Sequence, residues 1–121
     1  MNDWIEKNKN TITLGDCLEV MKQIPDKSID LVLTDPPYGI SFQSNMRVMS
    51  EKFNILENDD NNSRFSAYKE IYRILKDNTV AIIFASFKNY AYDFLELEKL
   101  FDIKNCIIWD KGGGGYWRFG S

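Results

Sequence analysis

An apolar run that enters two consecutive prolines is the strongest constraint in this sequence. The run Ile29–Thr34 is followed directly by Asp35, Pro36 and Pro37. It predicts a buried strand that stops abruptly, because neither proline can donate a hydrogen bond to a sheet ladder. Open α/β sheets bind their ligands in the crevice beyond the carboxyl ends of the strands. The sequence therefore places a carboxylate where a site is expected.

The groups at this corner predict the binding of a planar amine. The Asp35 carboxylate and the Pro36 carbonyl could accept both hydrogens of an exocyclic amino group such as N6 of adenine. This would favour a pyramidal nitrogen whose lone pair points at an electrophilic methyl group. Tyr38 would stack on the ring, and Gly39 would let the backbone turn tightly beside it. We predict a catalytic role for Asp35, Pro36, Pro37 and Tyr38; the alternative is an ordinary turn, in which Asp and Pro are common.

The composition is that of a globular domain without a nucleophilic triad. With 121 residues, 44% of them hydrophobic, residues 1–121 are expected to form a single domain. The formal net charge of −3 gives no overall attraction for phosphate, so a nucleic-acid substrate would need a local basic surface or another chain. The absence of histidine excludes a Ser-His or Cys-His nucleophile. We expect no signal peptide, no membrane partner and a cytoplasmic location.

The two cysteines are not expected to act in chemistry. Cys17 and Cys106 lie in apolar patterns, which favour buried thiols over a disulfide. Nothing in the sequence indicates a metal site, and no metal is predicted.

One short strand and one short helix are predicted before the proline corner. Residues 1–10 suggest a loosely held arm or an irregular first turn. Thr11–Leu14 alternates in polarity and is rich in β-branched residues, which predicts a strand. Asp16, with Glu19 three residues later, forms a capping pair for a helix over Cys17–Gln23. Asp16 is thus equally well explained as a helix cap or as a ligand contact.

Two helices and two strands are predicted after the corner. Apolar residues at helical spacing indicate amphipathic helices over 63–75 and from Tyr90 to Phe101. Thr79–Ala85 is a continuous apolar run, typical of a strand buried on both faces. A last strand is expected within 102–110, centred on Cys106–Trp109. Strands separated by helices predict α/β architecture with parallel pairing.

Two segments lack a regular pattern. Residues 40–63 predict a long polar loop, and loops of this length in compact domains are usually functional or disordered. A lid or substrate-facing loop and a plain surface loop are both compatible with its position. Residues 112–121 begin with four glycines and predict a flexible tail.

Taken together, these segments resemble the amino-methylating DNA methyltransferases that use S-adenosylmethionine. The likeness extends from Leu14 to Lys111 and is greatest to the circularly permuted group, in which the catalytic region precedes the cofactor region. The stretches that carry it are LGDC at 14–17, IP at 24–25, SIDLVLTDPPYGI at 28–40, YRILK at 72–76 and IWDK at 108–111. The resemblance implies a partial Rossmann-like methyltransferase sheet of mostly parallel strands flanked by helices.

The resemblance also implies a substrate. A target base of DNA would be flipped out of its duplex and held by Asp35, Pro36 and Tyr38. An aspartate at the first position of the motif favours adenine N6 over cytosine N4. Trp109 and Lys111 match a later segment near the target base. The residues expected to contact the substrate are Tyr38, Gly39, Trp109 and Lys111.

Only part of the cofactor site is expected in this chain. By resemblance, Asp16 lies near the adenine of S-adenosylmethionine, and Asp16 and Asp35 are the expected cofactor contacts. Family members hold the methionine end with a Phe-x-Gly strand-turn, and Phe119–Ser121 lacks the flanking strand and helix of that segment. The sheet should therefore lack its cofactor-side half and expose an apolar edge at Ile29–Thr34. A second copy, a partner chain or further residues of a longer protein would cover that edge.

Three functions are compatible with these patterns. The first is a site-specific DNA methyltransferase that acts on adenine N6. The second is a methyltransferase for RNA adenine or a protein amide, since the same corner suits any planar amine. The third is a non-catalytic remnant or accessory subunit that keeps the fold without turnover.

Overall fold

Six regular elements are present in the residues that the computed structural model describes, which are 3–37, 61–110 and 112. They are helix α1 (Asp3–Asn8), helix α2 (Cys17–Met21), strand β1 (Ile29–Thr34), helix α3 (Asn61–Ile74), strand β2 (Leu75–Ile83) and helix α4 (Tyr90–Glu98). The α/β class is confirmed, and β1 has the predicted bounds.

The two strands pair in parallel, as predicted. Leu31 lies opposite Val80, and Thr34 lies opposite Ile83. Strand β2 begins earlier than predicted, because the ladder already pairs Ile29 with Leu75, directly after the end of α3. An irregularity of the register follows, and Asn78 within it has a φ of 60°. Asn tolerates this left-handed conformation better than most residues.

The core lies between α3 and one face of this sheet. Tyr68, Ile71 and Leu75 are buried and form one contiguous apolar cluster. Tyr68 and Ile71 are three residues apart and lie on one side of α3, as the helical pattern predicted, while Leu75 is the first residue of β2. The side chains packed against this cluster include Val32, Ala81 and Ile83 from the sheet and Leu97, Leu100 and Phe101 from α4 and the residues after it.

The other face of the sheet is apolar and open in the part of the chain that is described. This open face consists of Leu31, Leu33, Val80 and Ile82, which are between 46% and 65% exposed. Side chains alternate between the two faces of a strand, so these four residues point away from the core. The prediction of a strand buried on both faces is therefore wrong within the described residues, where the core cluster covers one face only.

Two predicted strands are absent from the structure. Residues 11–14 and 102–110 are irregular, although both are described. Ile12 and Leu14 are fully exposed, and Ile107 and Ile108 are largely exposed. A strand is stable only when a neighbour accepts and donates its backbone hydrogen bonds. Among the described residues neither segment pairs with a strand, so their β-forming composition has joined no ladder.

Three local predictions are corrected at the termini of elements. The expected N-terminal arm contains helix α1. Two contacts stabilise this helix: a Lys7–Asp3 ion pair at 3.0 Å and a hydrogen bond from Asn8 Nδ2 to the Trp4 carbonyl at 2.8 Å. Cys17 and Cys106 are exposed free thiols, since one opens α2 and the other lies in the irregular 102–110 segment. Helix α3 begins at Asn61, so the last residues of the predicted 40–63 loop are helical, and the rest of that loop lies outside the described residues.

A buried ionic cluster joins α3 to α4. Arg64 Nε donates to Asp93 Oδ1 at 2.6 Å, and the Tyr68 hydroxyl donates to the same oxygen at 3.0 Å. The Arg64 and Asp93 side chains are only 1% and 3% exposed. Burial, and then the charge of Asp93, raise the pKa of Tyr68 above its ordinary value. No sequence pattern indicated this cluster, because Asp93 is 29 residues from Arg64 and 25 from Tyr68.

Arg73 fastens the segment that precedes β1 to α3. Its Nη1 donates to the Ile24 carbonyl at 2.8 Å and to Asp26 Oδ1 at 2.6 Å. Its Nη2 donates to the Met21 carbonyl at 2.8 Å, and its Nε to Glu70 Oε2 at 2.7 Å. One guanidinium thus binds two backbone carbonyls near the end of α2 and two carboxylates.

Replacing Arg73 should loosen this attachment. We expect Arg73→Ala to lower the free energy of unfolding by about 2 kcal/mol, since several charge-assisted hydrogen bonds are lost at a partly exposed site. Arg73→Lys should recover less than half, because an ammonium cannot reproduce the planar fork. Urea unfolding of both variants measures the effect. Lys69→Ala, at an exposed position on the same helix, is the control. An Arg73→Lys variant as stable as the parent would contradict the role assigned to the Arg73 guanidinium.

Candidate active site

The proline corner lies at the carboxyl end of the parallel sheet. Asp35 is exposed immediately after β1, and Pro36 and Pro37 are partly buried. The Thr34 carbonyl accepts a hydrogen bond from the Phe84 amide at 3.0 Å, which extends the ladder by one position. Asp35 and Phe84 therefore follow the last paired residues on neighbouring strands. The sheet holds the corner at the edge where α/β proteins bind ligands.

An aromatic pair lies at the same edge. The centroids of the Phe84 and Trp109 rings are 6.4 Å apart, with the ring planes inclined by 57°. This separation lies within the range of favourable aromatic contacts. Trp109 belongs to the irregular 102–110 segment, and the contact brings that segment to the carboxyl end of the sheet.

A second contact holds the same segment near α4. A hydrogen bond with the Cys106 thiol raises the pKa of the Tyr90 hydroxyl, and Tyr90 is the first residue of α4. Cys106 thus lies near the start of α4, and Trp109 lies near Phe84. These contacts position the segment although it forms no strand.

Four of the predicted site residues therefore share one edge, namely Asp35, Pro36, Pro37 and Trp109. Phe84 is a neighbour that the sequence did not suggest as a site residue. Its apolar strand pattern pointed to the core, and only the register of β1 against β2 places it next to the corner. Tyr38, Gly39 and Lys111 lie outside the described residues, so their predicted roles stay predictions.

Asp16 caps a helix. Its Oδ1 accepts the amide of Leu18 at 2.8 Å, and its backbone is extended, with φ −64° and ψ 126°. This is the arrangement of an N-cap, which satisfies one of the amides left over at a helix start. The capping role is confirmed. The carboxylate is also exposed, and its predicted contact with a cofactor stays a prediction.

A cavity of about 450 Å³ lies at the other end of the sheet. It is lined by residues that precede β1, by the end of α3, by the first residues of β2 and by residues 100–102, and none of the predicted site residues belongs to it. Its three basic groups are already paired with carboxylates: Arg73 with Asp26 at 2.6 Å, Lys27 with Asp77 at 3.1 Å and Lys76 with Asp30 at 2.7 Å. The cavity therefore has no surplus of positive charge for an anion, and we do not assign the site to it.

Two further observations concern the described residues. No described helix is long and apolar enough to cross a membrane. Within 3–37 and 61–110, no three His, Cys, Asp or Glu side chains are grouped in a way that could hold a metal ion.

A family profile matches the part of the chain that contains the sheet and the proline corner. The profile described as DNA methylase matches residues 29–120, which include both strands, the proline corner and Trp109. The chain belongs to this DNA methylase family.

Individual relatives support the same family. The chain is 34% identical to the Type II methyltransferase M.HinfI of Haemophilus influenzae over 92% of its own length and 33% of the relative. It is 34% identical to the DNA adenine methyltransferase YhdJ of Escherichia coli strain K12, over 87% of its length and 34% of the relative. It is 30% identical to the Type II methyltransferase M2.MboI of Moraxella bovis, over 88% of its own length and 42% of the relative. The chain spans only about a third to two fifths of the length of these relatives.

Proposed function

We propose that this chain contributes the amine-binding corner of a site-specific DNA methyltransferase that methylates adenine N6. The observation that carries the proposal is the exposed Asp35 carboxylate, placed with the Pro36 carbonyl just beyond the carboxyl end of β1. Membership of the DNA methylase family supports the reaction class. The relative named a DNA adenine methyltransferase supports adenine as the acceptor.

The proposed chemistry is activation of a poor nucleophile. The lone pair of an exocyclic amine is delocalised into the aromatic ring. Asp35 and the Pro36 carbonyl would each accept one amine hydrogen, which favours a pyramidal nitrogen with a localised lone pair. As the nitrogen gains a bond it becomes cationic, and the Asp35 charge stabilises that cation. The proton can then leave to water, so Asp35 need not be a strong base.

The methyl donor in this proposal is S-adenosylmethionine. When bound, it supplies a methyl group on a sulfonium sulfur, and the C–S bond breaks as the N–C bond forms. Asp16 and Asp35 are both exposed carboxylates, and carboxylates suit the hydroxyl and amino donors of a nucleoside. In the proposed arrangement, Asp16 would accept hydrogen bonds from the adenosine part of the methyl donor, and Asp35 would lie beside the acceptor amine.

DNA is the proposed partner, with the target base flipped out of its helix. A base inside a duplex cannot bring its amino group to a corner in a crevice, so extrusion is required. The net charge of −3 does not favour phosphate. Affinity for the backbone would then depend on a local basic surface or on other polypeptide, as the sequence predicted.

A methyl-transfer assay tests the acceptor. The protein is incubated with S-adenosylmethionine labelled in the methyl group and, separately, with unmethylated genomic DNA, total RNA or protein extract. The DNA is then digested and its nucleosides are separated. We expect label in DNA alone, recovered as N6-methyldeoxyadenosine and not as N4-methyldeoxycytidine. Label in RNA or in a protein amide would favour the second function, and no incorporation under any condition would favour a non-catalytic subunit.

A further inference from the structure

We propose that Phe84 is a positioning residue that holds the Trp109 indole beside Asp35 as a stacking platform for the flipped adenine. The inference rests on the proposed function and deepens it, because it assigns a role to a residue at the end of β2. Planar bases stack on aromatic side chains. The aromatic pair lies at the same end of the sheet as the carboxylate that would bind the amine.

The backbone of Phe84 is fixed by the sheet. Its amide donates to the Thr34 carbonyl at 3.0 Å, and the preceding residue, Ile83, pairs with Thr34 in the ladder. Val80 and Ile82 lie on the open face, so the alternation along β2 places Phe84 next on that face. Phe84 and Asp35 thus each follow the last pair of the ladder, Ile83 and Thr34, on neighbouring strands.

The indole of Trp109 has no such support of its own. It belongs to a segment without a ladder, and 71% of it is exposed. Its described ring contact is with Phe84, at 6.4 Å between centroids. Because most of Trp109 is exposed, the indole offers a face to a ligand. A base could stack on that face while its amino group reaches Asp35.

Nearby aromatic residues do not share this arrangement. Phe87 lies three residues further along and is 98% exposed. Phe84, by comparison, combines a ladder position with a ring contact. Phe87 is therefore a matched control: the same residue type, at the same end of the sheet, outside the aromatic pair.

Fluorescence of Trp109 tests the inference directly. The chain has three tryptophans, and Trp4→Phe with Trp117→Phe leaves Trp109 as the reporter. Adenosine is titrated into the full-length chain, and stacking quenches the indole. We expect saturable quenching. Phe84→Leu keeps the apolar volume but removes the ring, and it should raise the dissociation constant of adenosine by about 3- to 10-fold. Phe84→Tyr should stay within about twofold of the parent, because the ring is retained.

Two controls separate positioning from packing and from nonspecific stacking. Phe87→Leu should leave the quenching unchanged. N6,N6-Dimethyladenosine, which has no N–H for Asp35, should bind about tenfold more weakly than adenosine, since two hydrogen bonds are lost. Circular dichroism of each variant confirms that it is folded.

Several results would overturn the inference. They are unchanged binding in a folded Phe84→Leu variant, an equal loss in Phe87→Leu, equal affinity for the dimethylated nucleoside, and no quenching by adenosine at all. The methyl-transfer assay judges the proposed function separately. If label entered adenine and any of these four results were also found, the proposed function would stand and the role assigned to Phe84 would be wrong.

Discussion

Asp35→Ala is expected to reduce methyl transfer to DNA by about 10³-fold or more, with the fold intact. A preorganised group that stabilises developing charge contributes about 10²–10³ in rate, and Asp35 also orients the amine. The side chain is exposed beyond the end of β1, so its removal should cost little stability. The measurement is the initial rate of labelled-methyl incorporation into adenine under saturating donor, using the protein in its active form.

Asp30→Ala is the matched control for this prediction. Asp30 is also an exposed carboxylate of β1, but it lies at the opposite end of the strand and pairs with Lys76 at 2.7 Å. Surface ion pairs of this kind contribute about 0–1 kcal/mol, so activity should be retained. Asp35→Asn keeps one acceptor and loses the charge, and it should fall between the parent and alanine. If Asp35→Ala turned over at a rate near that of the parent, the role assigned to Asp35 would be wrong.

Asp93→Ala is expected to be the most destabilising of the substitutions considered. It would leave the Arg64 guanidinium, buried with only 1% exposure, without the carboxylate it binds. Removing one partner of a buried ion pair costs about 3–5 kcal/mol, a large part of the 5–15 kcal/mol that holds a typical domain together. Equilibrium unfolding in urea measures the loss. Glu98→Ala, an exposed acid of the same helix, should change the free energy of unfolding by less than about 0.5 kcal/mol.

The pH dependence of stability provides an independent reading of the same cluster. The folded chain raises the pKa of Tyr68, so the folded state holds the phenolic proton more tightly than the unfolded state does. This contribution is present below the unfolded pKa of about 10 and is lost as the pH rises above it. Tyr68→Phe should abolish that alkaline loss. A loss of the same size in Tyr68→Phe would show that the cluster does not hold the proton, and unchanged stability of Asp93→Ala would show that the ion pair is not structural.

Local patterns predicted the elements whose stability is local or strongly periodic. The apolar run at Ile29–Thr34 and its stop at Pro36 defined β1 to the residue, since prolines end a ladder irrespective of the rest of the fold. The helical stripe through Tyr68 and Ile71 identified α3. The Asp16 cap was also recognisable, because its hydrogen bond to Leu18 is made within two residues.

Predictions that depended on distant partners were less successful. Residues 11–14 and 102–110 have the composition of strands, but composition cannot supply a neighbour for the backbone hydrogen bonds. The Arg64–Asp93 pair, separated by 29 residues, left no trace in any local pattern. The same limitation explains why Phe84 was not recognised as a neighbour of Asp35.

The sequence alone determined where the chain must stop being a strand and which carboxylate stands at that stop, because the restrictions on proline are intrinsic to its covalent ring. It also determined the helical stripes, whose period is a property of the backbone. Only the tertiary structure decided which side chains surround the carboxylate. The register of β1 against β2, and the contact that brings Trp109 to Phe84, arise from packing between segments that are far apart in the chain.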